Sequence, residues 1–367
     1  MPKLKLGPTY KFMRIVVAMS GGVDSSVAAA LLHEAGHEVV GLSMQLYDQR
    51  EATGHGFGRC CSLDDLHDAR RVAASIGIKH YVLNLERQFK DTVIANFVGE
   101  YAAGRTPIPC THCNSDLKFS TLVDRAAGFD ASTVGTGHYA QLSDDPQAGR
   151  RRLLRGRDAS KDQSYFLFAL TQQQLQAATF PVGGLTKPEV RAYARERGLP
   201  VADKPDSQEI CFVPDGDYAQ FVERHAPEAI GSGTITDANG RVLGRHDGVH
   251  RFTVGQRKGL RLSTSEPLYV LELRPTEQAV VVGHRQELER VRCEVANVNW
   301  TAGEIPTKSL KAAVQVRHRH VPGDATVTPL EDGRAAVVFE NPERAISPGQ
   351  AAVFYEGNEV IGGGWIC

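Results

Sequence analysis

A short β-branched run, Arg14-Ile15-Val16-Val17-Ala18, passes through two glycines into Val27-Ala28-Ala29-Ala30-Leu31-Leu32, which keeps helical spacing. That pattern predicts strand, turn and helix, with Gly36 at the left-handed position where helices end. The alternation then repeats. Val39 to Met44 reads as a second strand. Ser62 reads as the N-cap of a helix through Ile76, with Asp64 and Asp65 in its first turn and Gly77 as its stop. Tyr81 to Leu85 forms a third strand, helices follow over about Lys90–Ala103 and Leu117–Ala127, and Ala131 to Gly135 leads into another strand. Thr186-Lys187-Pro188-Glu189 is a capping box opening a helix to Arg197, closed by Gly198. Strands alternating with helices predict an α/β domain with a doubly wound parallel sheet. Ligands on such sheets sit beyond the carboxyl ends of the strands. There the turn after the first strand, Met44 and Gly135-Thr136-Gly137-His138-Tyr139 are expected to converge.

Past about residue 216 the helical period fades. Short alternating runs replace it, such as Gly233 to Asp237, Tyr269 to Leu273 and Ala279 to Gly283, broken by Gly, Pro, Asn and Asp. The β pattern recurs in Lys311 to His320 and Ala335 to Phe339. A period of two puts Arg317 and Arg319 on one strand face, with Val314 and Val316 on the other. Three parts are expected: 1–216, a small β-rich central domain over 217–283, and a β-barrel over 284–367.

Composition narrows the classes. The chain has 367 residues, 41% hydrophobic and 23% charged, as in soluble globular proteins. No apolar run approaches the ~18 residues of a membrane span. Met1 to Phe12 lacks the apolar centre of a secretory signal, so a cytoplasmic location without a membrane partner is expected. The polar segment Tyr47 to Arg59 reads as a mobile surface loop. Net charge is −1, so a nucleic-acid partner needs a local basic patch. Arg241, Arg245, Arg251, Arg257, Lys258 and Arg261 face one acid, Asp247, between 241 and 261, and read as a phosphate-contacting patch. The seven cysteines are an odd number for a disulfide scaffold and leave metal binding, catalysis or inert burial.

The first turn carries the sharpest chemistry. Ala18-Met19-Ser20-Gly21-Gly22-Val23-Asp24-Ser25 brings bare backbone N–H groups to a helix N-terminus, where a phosphate is favoured. Ser20 and Ser25 add hydroxyls, and Asp24 orders the loop or a metal ion. No lysine stands in the register of a Walker loop. The residues resemble the S-G-G-x-D-S pyrophosphate loop of the ATP pyrophosphatase superfamily, whose members split ATP between its α and β phosphates. Met44 is placed to pack on adenine and Gly137 to let the nucleotide approach.

Cys110 and Cys113 form a C-x-x-C spaced for a zinc pair, a redox pair, or a nucleophile with a neighbouring thiol. Structural zinc needs a second spaced pair, and Cys60-Cys61 is adjacent. No metal site is assigned to the chain itself. Cys211, between Ile210 and Phe212, has the default reading of an inert buried thiol.

Taken together, the motifs resemble the tRNA-specific 2-thiouridylases, which place sulfur on C2 of the wobble uridine. The matching stretches are Ser20 to Ser25, Cys60-Cys61-Ser62, Pro109-Cys110-x-x-Cys113-Asn114, Thr136-Gly137-His138-Tyr139, Lys161-Asp162-Gln163-Ser164-Tyr165, Asp206-Ser207-Gln208-x-Ile210-Cys211-Phe212, Gly255 to Leu260 and Pro348-Gly349-Gln350. The resemblance implies an ATP pyrophosphatase domain, a β-rich central domain and a C-terminal antiparallel barrel. It implies Cys211 as the persulfide carrier and Cys113 as the thiol that releases the sulfur, through a transient Cys113–Cys211 disulfide. Ala18 to Ser25, Met44 and Gly137 match ATP contacts. Ile108, Pro109 and Cys110 match the segment meeting the target base. His138, Lys161, Asp162, Gln163, Arg317, His318 and Gln350 match tRNA contacts. ATP with Mg²⁺, a tRNA bearing a wobble uridine, and a protein delivering persulfide sulfur are the implied partners. Two positions depart from the pattern: many relatives carry asparagine at 108 and some aspartate at 110. A small-molecule adenylating ligase or amidotransferase of the same superfamily is one alternative, and a non-catalytic RNA-binding protein is another. Either leaves the two cysteine motifs without a role.

Overall fold

The computed structural model describes residues 12–47, 63–206, 210–213, 216–227 and 230–367. The Cys60-Cys61-Ser62 motif, the Ser62 cap and nearly all of the Tyr47–Arg59 loop lie outside them. The chain divides into two compact units, Met1–Asp91 with Cys113–Pro214, and Thr92–His112 with Asp215–Cys367.

The first unit holds the parallel sheet. Strands β1 (Arg14–Ala18), β2 (Glu38–Gln45), β3 (Lys79–Asn84), β4 (Thr133–Gly135) and, after a hairpin of β5 (Ala140–Asp145) and β6 (Arg150–Arg155), β7 (Ala178–Thr179) are the strands concerned. The sheet order is β3-β2-β1-β4-β7, with every pairing parallel. The order reverses direction between β1 and β4, which is where such sheets open a ligand crevice. Helix α1 (Val23–Glu34) has no polar stripe because it is buried nearly all round. Val27, Ala28 and Ala29 have no exposure, and the helix packs with α2 (Leu63–Ile76) and the helix Lys187–Glu196 in one apolar core. Gly36 and Gly77 stand at φ +89° and +78°, the left-handed stops expected after these helices. The Lys90–Ala103 expectation is met by a longer helical stretch, Glu86–Ala102, with a π-helical turn at Lys90–Ile94. A second π-helical turn, Cys113–Phe119, precedes the helix Ser120–Ala127.

The second unit contains two β structures. Strands β8 (Gly233–Thr236), β9 (Val242–His246), β10 (Tyr269–Arg274) and β11 (Ala279–Gly283) form a four-stranded sheet over Ile235, Phe252, Val270, Val280 and Val282. Strands β12 (Glu289–Trp300), β13 (Leu310–Gln315), β14 (Gly323–Pro329), β15 (Ala335–Arg344), β16 (Ala351–Glu356) and β17 (Glu359–Ile366) pair antiparallel in the order β12-β15-β14-β13-β16-β17. β17 returns to β12, closing a six-stranded barrel and removing its open edges. Inward residues alternate: Val314, Val327, Val337 and Phe354 are fully or almost fully buried.

Two expectations are corrected here. Residue 216 is not followed at once by β structure, because Tyr218–His225 is a helix capped by Asp217, whose side chain accepts from Gln220 N at 2.9 Å. It forms because Phe221 and Tyr218 pack on Phe97 and Tyr101 of the Thr92–His112 excursion, at 6.0 and 4.7 Å between ring centres. Arg317 and Arg319 also do not share a strand face. β13 ends at Gln315, and a turn closed by His320 N to Arg317 O at 3.1 Å puts Arg319 at φ +63°. Among the described residues no helix is long and apolar enough to cross a membrane.

Candidate nucleotide and thiol site

The turn after β1 is ordered by its own serines. Ser25 Oγ accepts from Ser20 N at 3.1 Å and donates to Gly22 O at 3.2 Å, while Ser26 Oγ donates to Gly22 O at 2.8 Å. Gly21 stands at φ +74°, and a Cβ there would meet Asp65 O at 2.1 Å, so the position admits only glycine. Gly22 is the N-cap of α1 and no side chain caps that helix. Its first-turn donors and dipole are thereby left to an incoming anion.

Gly137, just after β4, approaches the same turn. A Cβ on it would lie 2.5 Å from Ser25 N and 2.7 Å from Asp24 C, so the Thr136-Gly137-His138 turn lies directly against the Ser20–Ser25 turn. Of the three elements expected to converge, the turn after β1 and the turn after β4 are thus in contact. Met44 is buried at 6% exposure near the end of β2, facing β3 across the Leu83 register.

Asp24 orders the loop. It accepts from Tyr139 Oη at 2.7 Å and from Lys187 Nζ at 2.7 and 2.8 Å. Burial, reinforced by the Asp24 charge, pushes the Tyr139 phenol far up, so it remains a donor at any working pH. Lys187 also reaches Asp206 Oδ1 at 2.8 Å, where Arg191 joins it at 2.9 Å, while Lys161 holds Asp206 Oδ2 at 2.6 Å. Partial burial works to raise the Asp206 carboxyl, but the Lys161 and Lys187 bonds overcome it and hold it at about 2. Gln163 exchanges two bonds with Tyr139, its Oε1 accepting from Tyr139 N and its own N–H donating to Tyr139 O, both at 2.9 Å. Asp162 accepts from Gly156 N, Ser164 N and Arg155. The Lys161-Asp162-Gln163 cluster is thus part of the scaffold behind the loop.

Cys113 opens a π-helical turn and is buried at 6% exposure, while Cys211 is half-buried in a turn closed by Val213 N to Ile210 O at 2.9 Å. Phe212, beside Cys211, packs edge-on against Phe89 at 5.5 Å. Both cysteines belong to the first unit and Cys110, which is exposed, to the second.

Sequence profiles cover these parts in turn. The one described as tRNA methyl transferase HUP domain matches residues 13–215, tRNA methyl transferase PRC-barrel domain 219–284, and Aminomethyltransferase beta-barrel domain 290–366. Proteins named tRNA-specific 2-thiouridylase MnmA are similar over almost the whole chain. That of Geotalea uraniireducens is 52% identical over 359 residues, covering 97% of this chain and 95% of its own. That of Geobacter metallireducens is 52% identical over 358 residues, with 96% of each covered. The chain belongs to the tRNA-specific 2-thiouridylase family.

The remaining family positions fall as follows. In the second unit, Ile108 and Pro109 are buried, and Thr106 just before them is tied to the barrel. Thr106 N donates to Pro348 O, and Gln350 Nε2 donates to Thr106 O, both at 2.8 Å. His112 stacks on Trp365 of β17, 4.4 Å between ring centres and 6° from parallel. Arg317 donates to Arg344 O at 2.9 Å, and His318 lies in the turn after β13. In the basic stretch, Arg251 is paired with Glu223, whereas Arg241, Arg245, Arg257, Lys258 and Arg261 are exposed, the last lying 3.7 Å from Asp247.

His138 retains some exposure, but its ring lies between Phe119 and Phe180 and bonds Thr136 Oγ1 at 2.8 Å. Burial, with Lys118 nearby, pushes it down to about 3 from 6.5. Between those values the unfolded chain binds a proton that the folded chain does not. Its contribution to stability is therefore complete above pH 6.5 and is lost as pH falls toward 3. We expect the His138 imidazole to show no titration near pH 6.5 by NMR, with urea stability declining through that window. A normal midpoint near 6.5 would contradict the enclosure.

Sequence reasoning did not single out Lys187, Lys204 or the Tyr139 hydroxyl. Lys187 was visible only as part of a capping box, and its partner Asp24 stands 163 positions away. No local pattern links the two.

Proposed function

We propose that this chain thiolates the wobble uridine of tRNA at C2. Membership of the 2-thiouridylase family makes it a tRNA sulfurtransferase acting on uridine. The single observation that carries the finer reading is the phosphate cradle, with Gly137 in contact range of the Asp24–Ser25 backbone at an uncapped helix N-terminus.

The residues fit a nucleotide: main-chain donors for phosphates, serines to hold the loop, and a glycine where the approach is closest. Among the described residues no three His, Cys, Asp or Glu side chains gather as a metal cage. Mg²⁺ held chiefly by phosphates and water needs no such cage. When bound, Mg-ATP supplies the adenylyl group that makes the C2 oxygen a leaving group, with pyrophosphate released. Cys211 receives sulfur as a persulfide from a donor protein. The Cys113 thiolate attacks Sγ of Cys211, forming the Cys113–Cys211 disulfide and releasing hydrosulfide. That sulfur adds at C2 and AMP departs with the oxygen. Two electrons from a thiol reductant then restore both thiols.

The Ile108–Cys110 segment is proposed to meet the base, with Arg317, His318, Gln350 and the exposed arginines contacting the tRNA backbone. His138 and Lys161 to Gln163 carry the same proposal beside their scaffold role. Gln350→Ala removes the proposed hydrogen bond to the tRNA backbone, worth about 1 kcal/mol, and is expected to raise the KM for tRNA about fivefold, with the ATP affinity unchanged. Equal KM values in steady-state thiolation would remove Gln350 from tRNA positioning.

Nucleoside analysis of wobble-position uridine, after incubation with tRNA, Mg-ATP and a persulfide donor, tests the reading. 2-Thiouridine with AMP is expected. AMP without thiolated tRNA points to a small-molecule ligase, and neither product points to a non-catalytic RNA binder.

A further inference from the structure

Lys204 and Asp206, which precede Cys211 in the chain, are tied to the turn after β1 at two points. Lys187 Nζ lies 2.7 and 2.8 Å from the Asp24 oxygens and 2.8 Å from Asp206 Oδ1, with 10% of the lysine side chain exposed. Two residues before Asp206, Lys204 Nζ donates to Gly21 O at 3.1 Å and to Asp65 and Asp68, each at 2.6 Å. Lys204 therefore holds the loop at Gly21, and Asp206 is joined to Asp24 through the Lys187 ammonium that both carboxylates share. Cys211 follows five residues after Asp206.

A single ammonium shared by two carboxylates is sensitive to any third anion. Taken largely out of water, its attraction to each partner is strong and screened little. A phosphate entering the loop adds negative charge beside Asp24 and redistributes the pull on Lys187. Asp206 feels that change directly, because Lys187 and Arg191 share its Oδ1 while Lys161 holds the other oxygen. The Lys187 backbone cannot follow freely, since its N–H donates to Asp158 at 2.9 Å at the start of a capped helix.

We infer that Lys187 is a positioning residue coupling nucleotide occupancy of the phosphate loop to the placement of the Cys211 segment, with Lys204 as the second tie. This rests on the proposed function, in which the loop binds ATP and Cys211 carries sulfur. The coupling makes the carrier thiol respond when the uridine is ready to be activated.

The test is the alkylation rate of Cys211 by iodoacetamide in the full chain, read by peptide mass spectrometry. It is measured with and without a non-hydrolysable ATP analogue, whose Kd is determined by calorimetry. The wild-type rate is expected to change about fivefold or more on binding, the lower end of common coupling strengths. Lys187→Met should bind the analogue and lose the change, and Lys187→Arg should restore it. No binding by the wild type overturns the function reading itself. Binding without a change at Cys211 overturns the coupling alone, as does a Lys187→Met protein that binds and keeps the full change. If Lys187→Met fails to fold or to bind, Asp206→Asn decides: loss of the change supports the coupling and retention overturns it.

Discussion

Cys113→Ser and Cys211→Ser are each expected to lower tRNA thiolation by at least about a thousandfold, because residues acting as one chemical unit fail together. A serine hydroxyl is close in shape to a thiol but can neither carry sulfane sulfur nor release it. The buried Cys113 and half-buried Cys211 both tolerate that change without a large cavity. tRNA affinity is therefore expected to survive in both variants. The two differ in what accumulates. Given a persulfide donor and no reductant, Cys113→Ser should retain one extra sulfur on Cys211, since nothing attacks its Sγ. Cys211→Ser should load none. Intact-mass measurement separates these states, and wild-type thiolation by either variant would refute the division into carrier and liberator.

The first unit was legible because its signals are local. A β-branched run, a glycine pair and a helix stop at Gly36 lie within two dozen residues, and the period changes sharply between strand and helix. The same holds for the barrel, whose inward valines repeat every second position. What escaped depends on partners far along the chain. The helix Tyr218–His225 has a capping aspartate that could have been read from sequence. Its aromatic partners Phe97 and Tyr101, however, sit in the excursion 92–112, which the sequence gives no reason to detach from its neighbours. Arg317 reads as a strand residue because Val314-Gln315-Val316-Arg317 alternates and no glycine or proline interrupts the run before Pro322. The turn is imposed where β13 stops pairing at Gln315, ahead of Val321-Pro322-Gly323. In the site, Ser20 to Ser25 and Gly137 announced themselves by residue type. The lysines did not, because a lysine beside a capping box looks like any solvated charge until Asp24 and Asp206 are brought to it.

Gly137→Ala is expected to weaken ATP binding by more than about tenfold while the chain stays folded. The added Cβ would lie 2.5 Å from Ser25 N, 2.7 Å from Asp24 C and 2.9 Å from Ser25 Cα, all backbone atoms of the first turn of α1. That turn has nowhere to retreat, since Ser26 and Val27 behind it are fully buried. Overpacking of this kind costs about 1–3 kcal/mol and is relieved by moving one of the two loops apart. Either movement displaces the phosphate donors from one another, so affinity falls more than stability. Gly184→Ala supplies the control, for a Cβ there meets nothing within 4 Å, and it should leave both quantities unchanged. Calorimetric titration with ATP, alongside thermal unfolding of each variant, separates the outcomes. Unaltered affinity in a folded Gly137→Ala protein would mean that the turn after β4 is not part of the nucleotide cradle, and that the closeness of the two loops serves packing alone.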